Sequence, residues 1–167
     1  MIRVLRHGGV ALMFLAIAAS PLIAVAQVPA PPPPYGAPIT FDQAQKAMVA
    51  AQAEAKKNNW NVVIAIVDSG GHLVSLQRLD NTQYGSIDVA KGKATTAVSF
   101  RRPTKALEDV ITGGGAGLRI LKLEGATPLE GGVPIVVDGK IIGGIGVSGV
   151  LSSQDAQIAR AGADSLK

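Results

Sequence analysis

The chain has 167 residues, with sixteen Lys and Arg against twelve Asp and Glu, no cysteine and two histidines. That composition excludes a disulfide framework, thiolate metal sites, cysteine nucleophiles and a multi-histidine zinc centre. The formal charge of +4 does not argue for a nucleic-acid partner, because part of the excess lies in the leader and no basic stripe is interleaved with aromatics.

Arg3, Arg6 and His7 precede an apolar run from Val10 to Ala19, and Ala24-Val25-Ala26 offers small residues where a signal peptidase reads. Residues 1 to 26 are therefore expected to be a secretory signal peptide cleaved before Gln27, giving a periplasmic or secreted protein. The run is short for a bilayer span and Ser20-Pro21 interrupts it, so no stable membrane insertion is expected after cleavage. Cleavage removes Arg3 and Arg6 but no acid, which lowers the charge from +4 to +2 and leaves His72 as the one histidine. The remaining 141 of the 167 residues suffice for one modest domain with a core.

Residues 27 to 39 are proline-rich (QVPAPPPPYGAPI) and are expected to form an extended tether outside the core. The domain then covers residues 40 to 167. Thr40-Phe41-Asp42-Gln43 has the form of a capping box, and Ala44, Met48, Ala51 and Ala55 recur on one helical face until Asn58-Asn59. Val62 to Val67 is an apolar, β-branched strand, turned by Asp68-Ser69-Gly70-Gly71 into a second strand, His72 to Arg78. Ser86 is expected to cap a helix reaching about Phe100, with Ile87, Ala90, Ala94 and Ala97 on its apolar face. Thr104 is expected to cap a short helix through Val110, and Gly113 to Gly117 to form a flexible loop. Strands Pro134 to Val137 and Lys140 to Val147 are joined by Asp138-Gly139, a strong hairpin signal. Ser152-Ser153-Gln154-Asp155 is read as a second capping box, opening a helix with Ala156, Ala159, Ala163 and Leu166 on its face. Two hairpins interleaved with helices predict an α+β domain whose antiparallel sheet is flanked by helices.

Gly144, Gly146 and Gly149 spell G-x-G-x-x-G, the dinucleotide-binding fingerprint. A Rossmann site needs a following helix, a second parallel strand and a ribose-binding acid about twenty residues on. Only eighteen residues follow Gly149, and they read as one helix. These glycines are instead expected to admit the close approach of another backbone, a subunit or a ligand.

An ordered set of segments carries a resemblance. Ile66-Val67-Asp68-Ser69-Gly70-Gly71-His72-Leu73, Lys93-Ala94-Thr95-Thr96-Ala97, Phe100-Arg101-Arg102-Pro103-Thr104, Glu130-Gly131-Gly132-Val133-Pro134-Ile135, Gly146-Val147-Ser148-Gly149 and Gln154-Asp155 occur in that order. From Thr40 to Lys167 the chain strongly resembles the GlcG/HbpS family, the haem-degrading domain family. The resemblance implies a profilin-like arrangement of sheet and helices and a small homo-oligomer. For one exported branch it implies haem binding, linked to slow haem breakdown and redox sensing. Another branch is associated with glycolate-utilisation genes, and a related domain is fused to a corrinoid adenosyltransferase.

Under that resemblance His72 is the natural haem-iron ligand, with Met48 and Tyr84 as weaker candidates and surface placement as the plain alternative. Thr96 and Thr112 are candidate contacts, since a threonine hydroxyl is implicated in one branch. Lys93, Arg101 and Arg102 are candidate partners for haem propionates or a small carboxylate, set against a role at a helix C-terminus. For Lys91 the helix-terminal role is favoured. Gly131 and Gly132 either cradle a carboxylate with their amides or make a tight bend before the strand. No spacing pairs two carboxylates or a nucleophile with a base, and Asp155 is assigned to its capping box. The leading expectation is an exported haem-binding protein. The alternatives are an enzyme or accessory protein acting on a small carboxylic acid such as glycolate, or a purely structural oligomer.

Overall fold

A computed structural model describes residues 30–167; the expected signal peptide and the start of the proline-rich tether lie outside the described residues. Residues Pro31–Lys167 form one compact unit. Its elements are α1 (Phe41–Lys57), β1 (Val63–Asp68), β2 (Leu73–Arg78), α2 (Ser86–Ser99), α3 (Lys105–Thr112), a 3-10 segment (Gly115–Lys122), β3 (Gly132–Val137), β4 (Lys140–Ser148) and α4 (Ser152–Asp164). The sheet order is β2-β1-β4-β3 and every pairing is antiparallel, giving the α+β architecture expected.

Side chains alternate across a sheet, so the two central strands serve two helical layers. Ile64, Ile66, Ile145 and Val147 face α1 and α4, where Ala44, Ala47, Met48, Ala51, Ile158 and Ala159 close the main core. On the opposite face Val63, Ala65 and Val67 meet Ala90, Ala94 and Val98 of α2. Gly144 and Gly146 lie beneath α2. A Cβ on Gly146 would collide with the Ala90 carbonyl oxygen and the Ala94 amide nitrogen. The close neighbour that the glycine fingerprint admits is thus the backbone of α2. β3 is an edge strand, which is where Pro134, with no amide hydrogen, is tolerated.

The Thr40 capping box forms as expected: the Gln43 amide donates to Thr40 Oγ1 at 3.2 Å and the Thr40 amide to Gln43 Oε1 at 3.0 Å. Several local expectations give way to tertiary contacts. Ser86 does not cap α2, because the chain is already helical at Gly85; it is buried and accepts from the Ser148 hydroxyl at 3.1 Å. Thr104 turns away from α3 and bonds across to Gly132, whose amide donates to Thr104 Oγ1 at 2.9 Å. The glycine-rich stretch expected to be flexible closes α3 and enters the 3-10 segment.

The tether is also shorter than expected. β1 pairs with β4 only from Gly143 to Ser148, leaving the Ile141–Ile142 edge open. Residues 34–39 fill it: the Ile141 amide donates to the Pro34 carbonyl, and the Gly36 and Ile39 amides donate to Ile141 and Ile142, each at 2.8 Å. Ile39 is buried in the core. Tyr35 completes the strap by donating its hydroxyl to the Val98 carbonyl at 2.9 Å, near the end of α2. Tyr35→Phe removes one hydrogen bond from a half-exposed site, so thermal unfolding should show a loss of about 0.5–1.5 kcal/mol with the fold intact.

Candidate functional site

The candidate side chains fall into two groups. One is buried. Lys93 on α2 is 1% exposed, and its Nζ donates to Asp155 Oδ2 at 2.9 Å and to the Val147 carbonyl at 3.0 Å. Asp155, expected in a capping box, is therefore the partner of Lys93, while Gln154 alone accepts the Leu151 amide. Burial pushes the Asp155 carboxyl above its ordinary value, opposed by Lys93 and by the amides of Val150 and Gly149.

Gly131 and Gly132 pack directly on this pair. A Cβ at Gly131 would lie 2.8 Å from Lys93 Nζ and 2.9 Å from the Val147 carbonyl oxygen. The Gly132 amide is spent on Thr104 and its carbonyl accepts from the Thr104 amide. Thr96 is likewise enclosed, its hydroxyl oxygen accepting the Thr127 amide at 2.8 Å. Internal partners thus take up the groups of Lys93, Thr96 and Gly132 that were expected to face a ligand, and Gly131 has a packing role. Met48 is buried in the core, and Thr112 lies apart at the end of α3, donating to the Glu108 carbonyl.

The second group lies at one end of the sheet, with His72 and Arg102 exposed and Arg101 half-buried. β1 runs toward this end, where Asp68 pairs with Gly143, and the strap brings the last turn of α2 to the same place. The β1–β2 turn also abuts α2, with Thr95 Oγ1 3.5 Å from the Gly71 carbonyl. His72 therefore shares this end with Arg101 and Arg102. Arg101 adopts a left-handed backbone (φ 51°) just past α2, and its guanidinium sits 5.7 Å over the Tyr35 ring. Arg102 Nε donates to the Phe100 carbonyl. Among the described residues neither arginine is paired with a carboxylate.

The His72 side chain is 83% exposed, and its Nδ1 lies 3.3 Å from Asp68 Oδ2. Asp68 Oδ1 accepts the Gly70 amide at 2.8 Å and the His72 amide at 2.9 Å. Partial burial acts to raise the Asp68 carboxyl, but the two amides and the imidazole outweigh it and the net shift is downward. This Asp–His pair escaped the sequence reading, although D-S-G-G-H carries its signal: an Asx-type turn brings the residue four positions on back to the carboxylate. Among the described residues no group of three or more His, Cys, Asp or Glu side chains could hold a metal ion. Nor, among those residues, is any helix long and apolar enough to cross a membrane.

A family model, "Haem degrading protein HbpS-like", matches residues 39–164. The Protein GlcG of Escherichia coli K12 is 47% identical over 111 residues, 66% of this chain and 81% of GlcG. The crystal structure of a Streptomyces reticuli HbpS double mutant superposes with a TM-score of 0.72 at 33% identity, covering 90% of this chain and 99% of that one. The PduOC domain, crystallised as a complex with haem, superposes with a TM-score of 0.71 at 30% identity, covering 78% of this chain and 96% of that one. The extent of these matches places the chain in the HbpS-like family, to which it belongs.

Proposed function

We propose that this protein binds haem outside the cytoplasm, with the His72 imidazole as an iron ligand and the Arg101 and Arg102 guanidinium groups receiving propionates. The observation that carries this reading is an exposed imidazole whose Nδ1 is held by a carboxylate, at the same end of the fold as two arginines that have no acidic partner among the described residues. The donor set fits the group. A neutral imidazole nitrogen is an ordinary haem ligand, and guanidinium forks match carboxylates. Bound haem supplies the iron and its redox chemistry. The chain supplies a nitrogen donor, two cations and a surface. The haem complex of the related PduOC domain supports the same ligand class.

The small-carboxylate alternative keeps Arg101 and Arg102 but loses Lys93, whose charge is neutralised inside the fold. Self-association is part of the proposal and is supported by the exposed apolar residues Val110, Leu118, Leu121, Leu123 and Leu129. Placement in the periplasm or outside the cell rests on the leader sequence.

Haemin titration followed by visible absorption tests the reading. A saturable, sharpened Soret band near one haem per chain is expected, and His72→Ala should change the iron spectrum and weaken binding tenfold or more, an effect of about 1.4 kcal/mol. A spectrum identical to that of free haemin would refute binding. An unchanged spectrum in His72→Ala would refute the ligand assignment.

A further inference from the structure

The hairpin turn between β1 and β2 is built around the imidazole it presents. Asp68 accepts two backbone amides through Oδ1, which fixes the carboxylate, and offers Oδ2 to His72 Nδ1 at 3.3 Å. Gly71 takes φ +85°, a conformation that lets the chain return toward Asp68. Gly70 leaves the space where the ring lies: a Cβ there would sit 2.9 Å from both Nδ1 and Cε1 of His72. Carboxylate, turn and missing side chain thus converge on one ring position, although the ring is otherwise in solvent.

An ionised carboxylate only accepts hydrogen bonds, so the nitrogen facing it carries the proton. In a neutral imidazole the other nitrogen is then the one with a free lone pair. We propose that Asp68 is the positioning residue of the site, holding His72 as the Nδ1–H tautomer so that unprotonated Nε2 faces outward as the donor. This rests on the reading of His72 as the iron ligand, and it extends that reading to the carboxylate on the other nitrogen of the ring. A carboxylate behind a ligating histidine orients the ring and raises its basicity, and losing such a partner typically weakens binding 10–100-fold.

The whole chain has only two histidines, so imidazole 15N spectra are readily assigned, with His72→Ala identifying the His72 signals. The test is made on haem-free protein at about pH 8.5, where imidazoles are neutral. Long-range 1H–15N correlations should show His72 mainly as Nδ1–H. Asp68→Asn can keep the turn by accepting the same amides through its oxygen, but it presents an NH2 donor to the ring. It should therefore invert the tautomer to Nε2–H and weaken haemin binding about tenfold or more. Gly70→Ala gives an independent variant, displacing the ring while leaving Asp68 ionised, and should also reduce the Nδ1–H population.

A wild-type spectrum dominated by Nε2–H would overturn the proposal, as would tautomer populations unchanged in both variants. If the tautomer inverts as expected while haemin binds the wild type, Asp68→Asn and His72→Ala equally well, Asp68 does position the ring, and the assignment of His72 as iron ligand fails instead.

Discussion

Lys93→Met should lower the unfolding free energy by about 3–5 kcal/mol, because it strands a buried carboxylate without its cation. The pair is almost fully enclosed, with the two side chains 2% and 3% exposed. It ties α2 to α4, and through the Val147 carbonyl to β4. The partner left behind makes the loss large. Lys93→Met combined with Asp155→Asn should therefore recover much of it, since the asparagine oxygen still accepts the Val150 amide without a charge to bury. The pH dependence has a definite sign. Burial raises the Asp155 carboxyl, so the native state binds its proton more readily than the unfolded chain does. The penalty of burying the ionised form is felt above the native pKa and disappears as pH falls through it. The deficit of Lys93→Met should shrink on acidification, whereas the deficit of the double variant should not. Urea unfolding at two pH values reads both effects.

Gly146→Ala should be comparably damaging, at about 3 kcal/mol or more, or should prevent folding altogether. The added methyl meets main-chain atoms of Ala90 and Ala94, and no rotamer change can move a helix backbone aside. Relief would require α2 to lift from β4, which opens the contacts of Val63, Ala65 and Val67 beneath it. Gly85 provides the internal comparison. It has ordinary helical dihedrals (φ −59°, ψ −22°), and a methyl group added there would meet nothing within 4 Å, so Gly85→Ala should be neutral or stabilise by about 0.4–1 kcal/mol. Equal losses in the two variants, measured by thermal unfolding, would refute the packing explanation.

These contrasts show which parts of the molecule are legible in the sequence. The Val62 to Val67 run, the Asp138-Gly139 turn and the Thr40 capping box are local signals, and each produces the element it predicts. Ser86, Thr104 and Asp155 carry the same local signals as helix caps but bond elsewhere, to Ser148, Gly132 and Lys93. A hydroxyl or carboxylate near a helix start suits a cap, and it equally suits a neighbour across the fold. Only the tertiary arrangement decides between them. Lys93 and Asp155 are 62 residues apart, beyond the reach of any spacing rule. Asp68 and His72 are four residues apart within one turn, and their contact follows from turn chemistry alone.

Pro134 gives the two borders of the sheet different capacities. A strand from another molecule joins an edge only where successive amides and carbonyls are open to it, and β3 lacks one of those amides at its centre. The Leu73–Arg78 border has no such gap. An extended segment adding to this sheet would therefore find its uninterrupted row of amides and carbonyls on β2, which begins one residue beyond His72.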